Sequence, residues 1–313
     1  MIKIFKNRYG LVRSGWIIIL CLILYYALLG VAQIFIIATM RKLLEITGNL
    51  DYSTGFSIPP VDTMNDVQFA IIQIMPEIVT EIVTIALSLI TWKIMRYDWK
   101  DIGIGNLKSF KSEGIIGGLL GFAGCTLIFL ILFISKSIHI DSIELVITPR
   151  VVLWLFTMIL VGFGEELFCR GLLMSILRRT NNKYLIILLP SLIFGGIHLF
   201  IPSATFLSIL NIIIIGIVFS YMYYKSGKLW MCVGYHITWN IFQSVIYGMP
   251  ISGSNINSIM ITHFPSANIL NGGSFGIEGG ILTTIVNILI LMFAIFYYRS
   301  STYEFLSDNH CKD

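Results

Sequence analysis

Eight apolar runs of roughly 20 residues, the length a helix needs to cross a bilayer, divide this chain. They cover about 16–40, 69–92, 114–135, 152–177, 184–201, 206–224, 229–247 and 277–298. Glycine, proline, asparagine and charged residues gather between the runs, as they do in connecting loops. The pattern predicts an all-α polytopic membrane protein, a bundle of about eight transmembrane helices forming a single membrane domain over 1–313. The first run, Trp16 to Met40, is too long for the apolar core of a cleaved signal peptide and reads as a retained anchor.

A few polar residues interrupt the runs. The second carries Gln73, Pro76, Glu77 and Glu81; the third opens on Gly114, Gly117, Gly118, Gly121 and Gly124. The fourth contains Glu165, Glu166 and Arg170, the fifth His198, the sixth Asn211, and the seventh His236 and Asn240. Gly117 and Gly121 have the small-xxx-small spacing that lets two helices approach closely. No lysine-serine or lysine-threonine pair follows these glycines, so they are not a phosphate loop. Between the second and third runs, residues 97–113 mix Trp99, Ile102, Ile104, Leu107 and Phe110 with lysines, which suits a segment lying on the bilayer surface.

Composition agrees: 56% of the 313 residues are hydrophobic and 12% charged, and mean hydropathy is +0.85. The net charge of +4 is unevenly spread. One set of loops and tails holds 16 Lys and Arg, from Lys3, Lys6, Arg8 and Arg13 through Arg178, Arg179 and Lys183 to Arg299 and Lys312; the opposite set holds Arg41, Lys42, Lys136 and Arg150. By the positive-inside rule both termini are cytoplasmic. The cations follow the membrane and form no single basic face, so no nucleic-acid partner is implied. Cys21, Cys125, Cys169, Cys232 and Cys311 lie in spans or the tail, which is no disulfide framework, and none is paired at zinc-finger spacing.

Ionisable groups in a membrane helix are expensive and by default mark function. Glu166 and Arg170, four apart, share a helix face and can pair, whereas Glu165 lies about 100° round the helix. Counted from the inner ends of their runs, Glu165 is roughly 20 Å deep, His198 about 21 Å, and His236 and Asn240 about 12 and 18 Å. These depths predict one polar layer shared by three helices. Taken singly, each residue has a plainer role: a packing histidine, a structural Glu166–Arg170 ion pair, Asn211 as interhelical glue. Three helices offering Glu, His and His/Asn at one depth is hard to credit to packing. Glu77 and Glu81, at i and i+4, either face the outer mouth or line the same cavity as Glu165.

At these positions the chain resembles the CAAX-processing and bacteriocin-processing intramembrane endopeptidases, the CPBP or Abi family. The motifs are Glu165-Glu166-Leu-Phe-Cys-Arg170, Phe194-Gly-Gly-Ile-His198 and His236-Ile-Thr-Trp-Asn240. They fall in 151–248, the expected catalytic core; 1–110 match in hydropathy alone. Cys169 stands where many relatives have Phe, and Gly272–Glu278 looks like a tail segment of bacterial members. The resemblance implies peptide-bond hydrolysis, with a membrane-associated peptide or protein, with or without a lipid, as substrate. It also implies the bacterial cytoplasmic membrane, and roles in bacteriocin or signal-peptide maturation or self-immunity.

Amide hydrolysis needs an activated water, donors for the developing oxyanion, and a proton for the leaving amine. Glu165, out of water and near Arg170, suits general-base work, and His198 can share the water and return the proton. His236 and Asn240, one turn apart, can aim donors at one oxygen. The resemblance implies the same division, with Glu166 and Arg170 positioning the base; the metal-free form, with no cofactor, is the one expected. The alternative chemistry is a zinc site of Glu165, His198 and His236 with Glu166 as base, although no His-Glu-x-x-His supports it. A different class, a non-catalytic immunity factor, scaffold or transporter, remains as the third reading; no repeated halves favour transport.

Overall fold

The computed structural model describes residues 2–7, 10–48, 50–51, 55–56, 58–105 and 110–306. Arg8, Leu107, Lys108, Cys311 and Lys312, used in the readings above, lie outside the described residues.

Each apolar run becomes a helix. Five are long and apolar enough to cross a membrane: α1 (Ser14–Ile46), α2 (Asp66–Ile94), α3 (Lys111–Ile134), α4 (Pro149–Thr180) and α6 (Phe206–Ser226). Three are shorter: α5 (Lys183–His198), α7 (Trp230–Asn240), which continues as a wide π-helical turn over Ile241–Ile246, and α8 (Ile281–Tyr297). The protein is an all-α polytopic integral membrane protein. Outward faces bear large apolar side chains such as Leu20, Ile23, Ile34 and Phe35 of α1, the surface expected against lipid rather than water.

The helix ends are written locally. Asn65 and Gln68 form a reciprocal capping box at the start of α2, and Thr205 and Ser208 form another at α6. Thr148 caps α4 by accepting from the Val151 N–H, with Pro149 in the first turn, where a missing N–H costs nothing. Asn182 accepts from the Tyr184 and Leu185 N–H groups at α5. Gly227 ends α6 in the left-handed region, φ 65°.

The glycine spacing in the third run acts as predicted. A Cβ on Gly117 would strike the Met231 carbonyl of α7, and one on Gly121 the Tyr235 carbonyl. Gly234 of α7 answers from the other side, against the Gly114 carbonyl. The two backbones therefore touch, and α3 fixes the rotation of the helix that carries His236 and Asn240.

Two predictions need correction. The 97–113 connector does not simply lie on the bilayer: Ile102 and Asp101 are buried, and the Asp101 carbonyl accepts from the Ser175 and Tyr223 hydroxyls. Ile102 is buried and Ile104 partly so at the inner end of the bundle, where α4 and α6 offer hydroxyls to the Asp101 carbonyl, while Trp99 remains exposed. Nor do the fifth and eighth runs reach their predicted ends. The fifth helix stops at His198, leaving exposed Leu199 and Phe200 in the following loop, and the eighth begins at Ile281, leaving Glu278 in a preceding 3-10 turn. On the face opposite the basic loops, β3 (His139–Ile143) pairs antiparallel with β4 (Met260–His263), with a bulge at Asp141. A smaller pair, β1 (Leu50–Asp51) and β2 (Gly55–Phe56), follows α1.

Gly121→Leu should force α3 and α7 apart. Overpacking of this kind costs about 1–3 kcal/mol and should lower the thermal midpoint of the purified protein in detergent. Gly30→Ala, at a position where a Cβ meets nothing within 4 Å, should hold or raise it.

Candidate active site

Helix α4 supplies the centre. Trp154, Met158, Val161 and Glu165 recur at helical spacing, and all four line one cavity. Two glycines let neighbouring helices close on this segment: Gly162 lies against Ile237 of α7, and Gly164 against the Glu81 carboxylate of α2. Directly after Glu166 the helix widens into a π-helical stretch, Leu167–Leu173, a form concentrated at functional sites.

Glu166 and Arg170 pair as their spacing predicts. Arg170 Nη1 donates to Glu166 Oε1 at 2.9 Å, and both side chains are 0% exposed. Arg170 Nη2 donates to the Gly216 carbonyl of α6 at 3.1 Å. The guanidinium lies 4.7 Å from the centroid of Phe194 and 5.3 Å from that of Phe219, within cation–π range. A Cβ on Gly216 would stand 3.3 Å from Arg170 Nη2, so this glycine leaves room for the charge.

The same Glu166 Oε1 lies 3.0 Å from His236 Nδ1. A carboxylate accepts, so Nδ1 carries the proton and donates. His236 Nε2 then faces the other acid, 3.7 Å from Glu165 Oε2. The resemblance implied that Glu166 and Arg170 position Glu165; the direct contact of Glu166 outside the pair is with His236. Sequence distance concealed this, because the pairing joins residues 70 apart.

His198 Nδ1 is 2.8 Å from the Phe194 carbonyl, one turn back on α5. A carbonyl can only accept, so Nδ1–H donates and a neutral ring keeps its lone pair on Nε2. Phe194 holds both imidazoles edge to face, with centroids 5.1 Å from His198 and 6.3 Å from His236. Asn240 is buried on α7, one turn beyond His236.

Glu165, His198, His236 and Asn240 line a single cavity of about 630 Å³. Glu166 and Arg170 stand behind its wall. Glu77 and Glu81 line it too, so α2 belongs to the site. Asn211 proves to be glue, as its plainer reading held: its Nδ2 donates to the Glu278 and Gly280 carbonyls, and its Oδ1 accepts from Thr284. That clamp delivers a lining residue the motifs did not mark. Glu278 enters the cavity from the Gly272–Gly280 loop, and its Oε2 accepts from the Ser252 N–H at 2.9 Å. The signal was the glycine-rich run itself. Gly276 sits at φ 102°, where a side chain would collide with the Pro250 carbonyl.

Among the described residues, no group of three or more His, Cys, Asp or Glu side chains is spaced to hold a metal ion. Cys21, Cys125, Cys169 and Cys232 are buried and free.

What fold and site define is a helical integral membrane protein with a polar, carboxylate-rich cavity inside an apolar bundle. Residues 147–242, the stretch holding all three motifs, match the family described as type II CAAX prenyl endopeptidase Rce1-like. The family expected from those motifs is thus the one found over this segment, and it is a family of membrane proteases. No curated protein and no solved structure matches the chain.

Removing one partner of a buried ion pair strands the other, typically at about 3–5 kcal/mol. Arg170→Ala should therefore cut the yield of folded protein and its thermal midpoint sharply. Glu166→Gln, which keeps a carbonyl acceptor but leaves the Arg170 charge uncompensated, should also lower the midpoint in the same melting experiment, and Glu166→Ala, with no acceptor left, should lower it further.

Proposed function

We propose that this protein is an intramembrane endopeptidase that hydrolyses a peptide bond of a membrane-associated peptide or protein with a water activated by Glu165 and His198. The observation that carries the reading is the meeting of all three motifs at one cavity, inside the segment that matches a protease family. In this mechanism Glu165 takes a proton from water, with His198 Nε2 sharing it, and the oxygen attacks the scissile carbonyl carbon. The carbonyl oxygen gains the negative charge and accepts from Asn240 Nδ2 and from His236 Nε2. His236 can donate there only as the imidazolium, because its Nδ1–H is already committed to Glu166; Glu166 stays as its counter-charge, and the oxyanion takes over from Glu165 as Glu165 is protonated. As the C–N bond breaks, the proton held by Glu165 and His198 passes to the leaving nitrogen.

Glu166 and Arg170 are positioning residues here. Arg170 fixes Glu166, and Glu166 fixes the tautomer and direction of His236. The charge distribution favours cytoplasmic termini, with the site in the bacterial cytoplasmic membrane, and the family points to maturation of a peptide or of a lipid-modified C-terminus.

Glu165→Gln and His198→Ala should each abolish cleavage, read by comparing the membrane peptidomes of cells expressing wild type or variant at equal protein level. His236→Ala and Asn240→Ala should each lower kcat by about 100- to 1,000-fold, the usual loss for one oxyanion donor, with KM little moved. Full processing by Glu165→Gln would end the proposal. Chelation should leave activity intact; activity lost on chelation and restored by zinc would transfer the reading to the metal-dependent form.

A further inference from the structure

The residues that line the cavity belong to one half of the bundle. Glu165 stands about midway along α4, and the lining residues beyond it, Val161, Met158 and Trp154, climb toward the Pro149 end. On α6 the lining stops at Phe219, and on α7 it starts at Tyr235. No described residue of 166–193 or 220–234 reaches it. The opposite half is filled. Ile102, Leu172, Met174, Ile176, Tyr223 and Leu229 are each at most 1% exposed and share one apolar cluster. Phe305 closes over that cluster, its ring centroid 5.5 Å from that of Tyr223 and 4.3 Å from the Arg178 guanidinium.

The filled half is the one that meets the basic loops. Lys93, Lys111, Arg178, Arg179, Lys225 and Lys228 stand at its end of the helices, so by the positive-inside rule it faces the cytoplasm. The rim of the cavity is at the other end. Two loops make it, one after α5 and one after the π-helical turn that extends α7; their Pro202, Gly253 and Ser254 line the cavity and are also exposed. The rim is built rather than loose. Ile251 and Ser254 exchange backbone hydrogen bonds of 3.0 and 2.8 Å across a tight turn, and the Gly253 N–H donates to the Phe275 carbonyl at 3.0 Å. Gly253, at φ 80°, leaves the space that the Ser203 hydroxyl occupies. Beside the rim Leu199, Phe200 and Phe206 are strongly exposed, an apolar patch suited to the outer leaflet.

We infer that the cavity opens to the outer, non-cytoplasmic face of the membrane, and that the substrate is a peptide segment already carried across it. This rests on the endopeptidase reading and narrows it. The class of reaction that supplies the substrate is then membrane translocation of a peptide, and the scissile bond lies on the exported side of a membrane-anchored chain. A cavity of about 630 Å³ is of small-ligand size, so the segment enters extended rather than folded. A lipid-modified C-terminus left in the cytoplasm would have the packed inner half between it and Glu165.

The test labels the full-length protein in spheroplasts with a small, charged thiol reagent that does not cross the membrane. Cys21, Cys125, Cys169 and Cys232 are buried, and a Cys311→Ser background removes the cysteine of the tail. Single cysteines are then placed at the rim (Ser254→Cys), within the cavity (Thr80→Cys, with Ile197→Cys as a second probe) and at the basic end (Lys93→Cys). The rim and cavity cysteines should react to the same extent before and after permeabilisation, and Lys93→Cys only after it. Cavity cysteines that react only after permeabilisation, or not at all while the variants remain folded, would overturn the inference and leave the protease standing. The second readout is the position of the new peptide ends that wild type produces and Glu165→Gln does not. These should map to the exported side of membrane-anchored chains, and ends mapping to the cytoplasmic side would overturn the inference. Identical peptide ends in the two strains, with the cavity labelled from outside, would support the outward opening and sink the protease reading.

Discussion

The structure depends on one buried charge and the company kept around it. Arg170 has no water to solvate it, so every contact it makes is a condition of folding: a carboxylate on its own helix, a carbonyl on α6, and two aromatic faces from α5 and α6. Burying a guanidinium is tolerable only when geometry and remaining donors are largely satisfied. Satisfying them draws α4, α5 and α6 to one point. Because Glu166 also accepts from His236, α7 is recruited to the same point. The charge that would be a liability in a lipid-facing helix thereby becomes the device that assembles the cavity.

Glycine packing completes what the charge begins. Where α3 meets α7 there is no side chain between the backbones, and where α4 meets α2 and α7 a hydrogen at Gly164 and Gly162 leaves space for Glu81 and Ile237. Apolar lipid gives little hydrophobic incentive for helices to associate, so close van der Waals fit and interhelical hydrogen bonds must supply it. The Asn211 clamp is the polar half of that arrangement. It joins α6 to the start of α8 and sets the loop carrying Glu278.

Much of this was legible because the relevant information was local. Apolar run length fixed the number of helices, i to i+4 spacing fixed the Glu166–Arg170 pair, and depth counting brought Glu165, His198, His236 and Asn240 to one layer. What stayed hidden was rotational or remote. Hydropathy gives the depth of a residue but not which way a helix is turned, so whether Glu77 and Glu81 faced Glu165 had to wait for α2 to pack. The Glu166–His236 contact joins two helices and depends on how α7 is turned against α4, which hydropathy does not encode. Glu278 was placed inside a helix by its apolar neighbours, although flanking glycines turn that segment into a loop. The connector has the composition of a surface segment, and the burial of Asp101 and Ile102 goes with hydroxyls offered by other helices.

The brevity of α5 has a consequence of its own. Sixteen residues rise about 24 Å, roughly 6 Å short of an ordinary hydrocarbon slab. Beside such a helix the bilayer must thin, or the exposed Leu199 and Phe200 must sink below the headgroups. Thinning shortens the greasy distance between His198 and water, whereas sinking the loop lengthens it. Hydrophobic mismatch is then built into the protein, and lipid chain length becomes a variable that sets how readily its interior is reached.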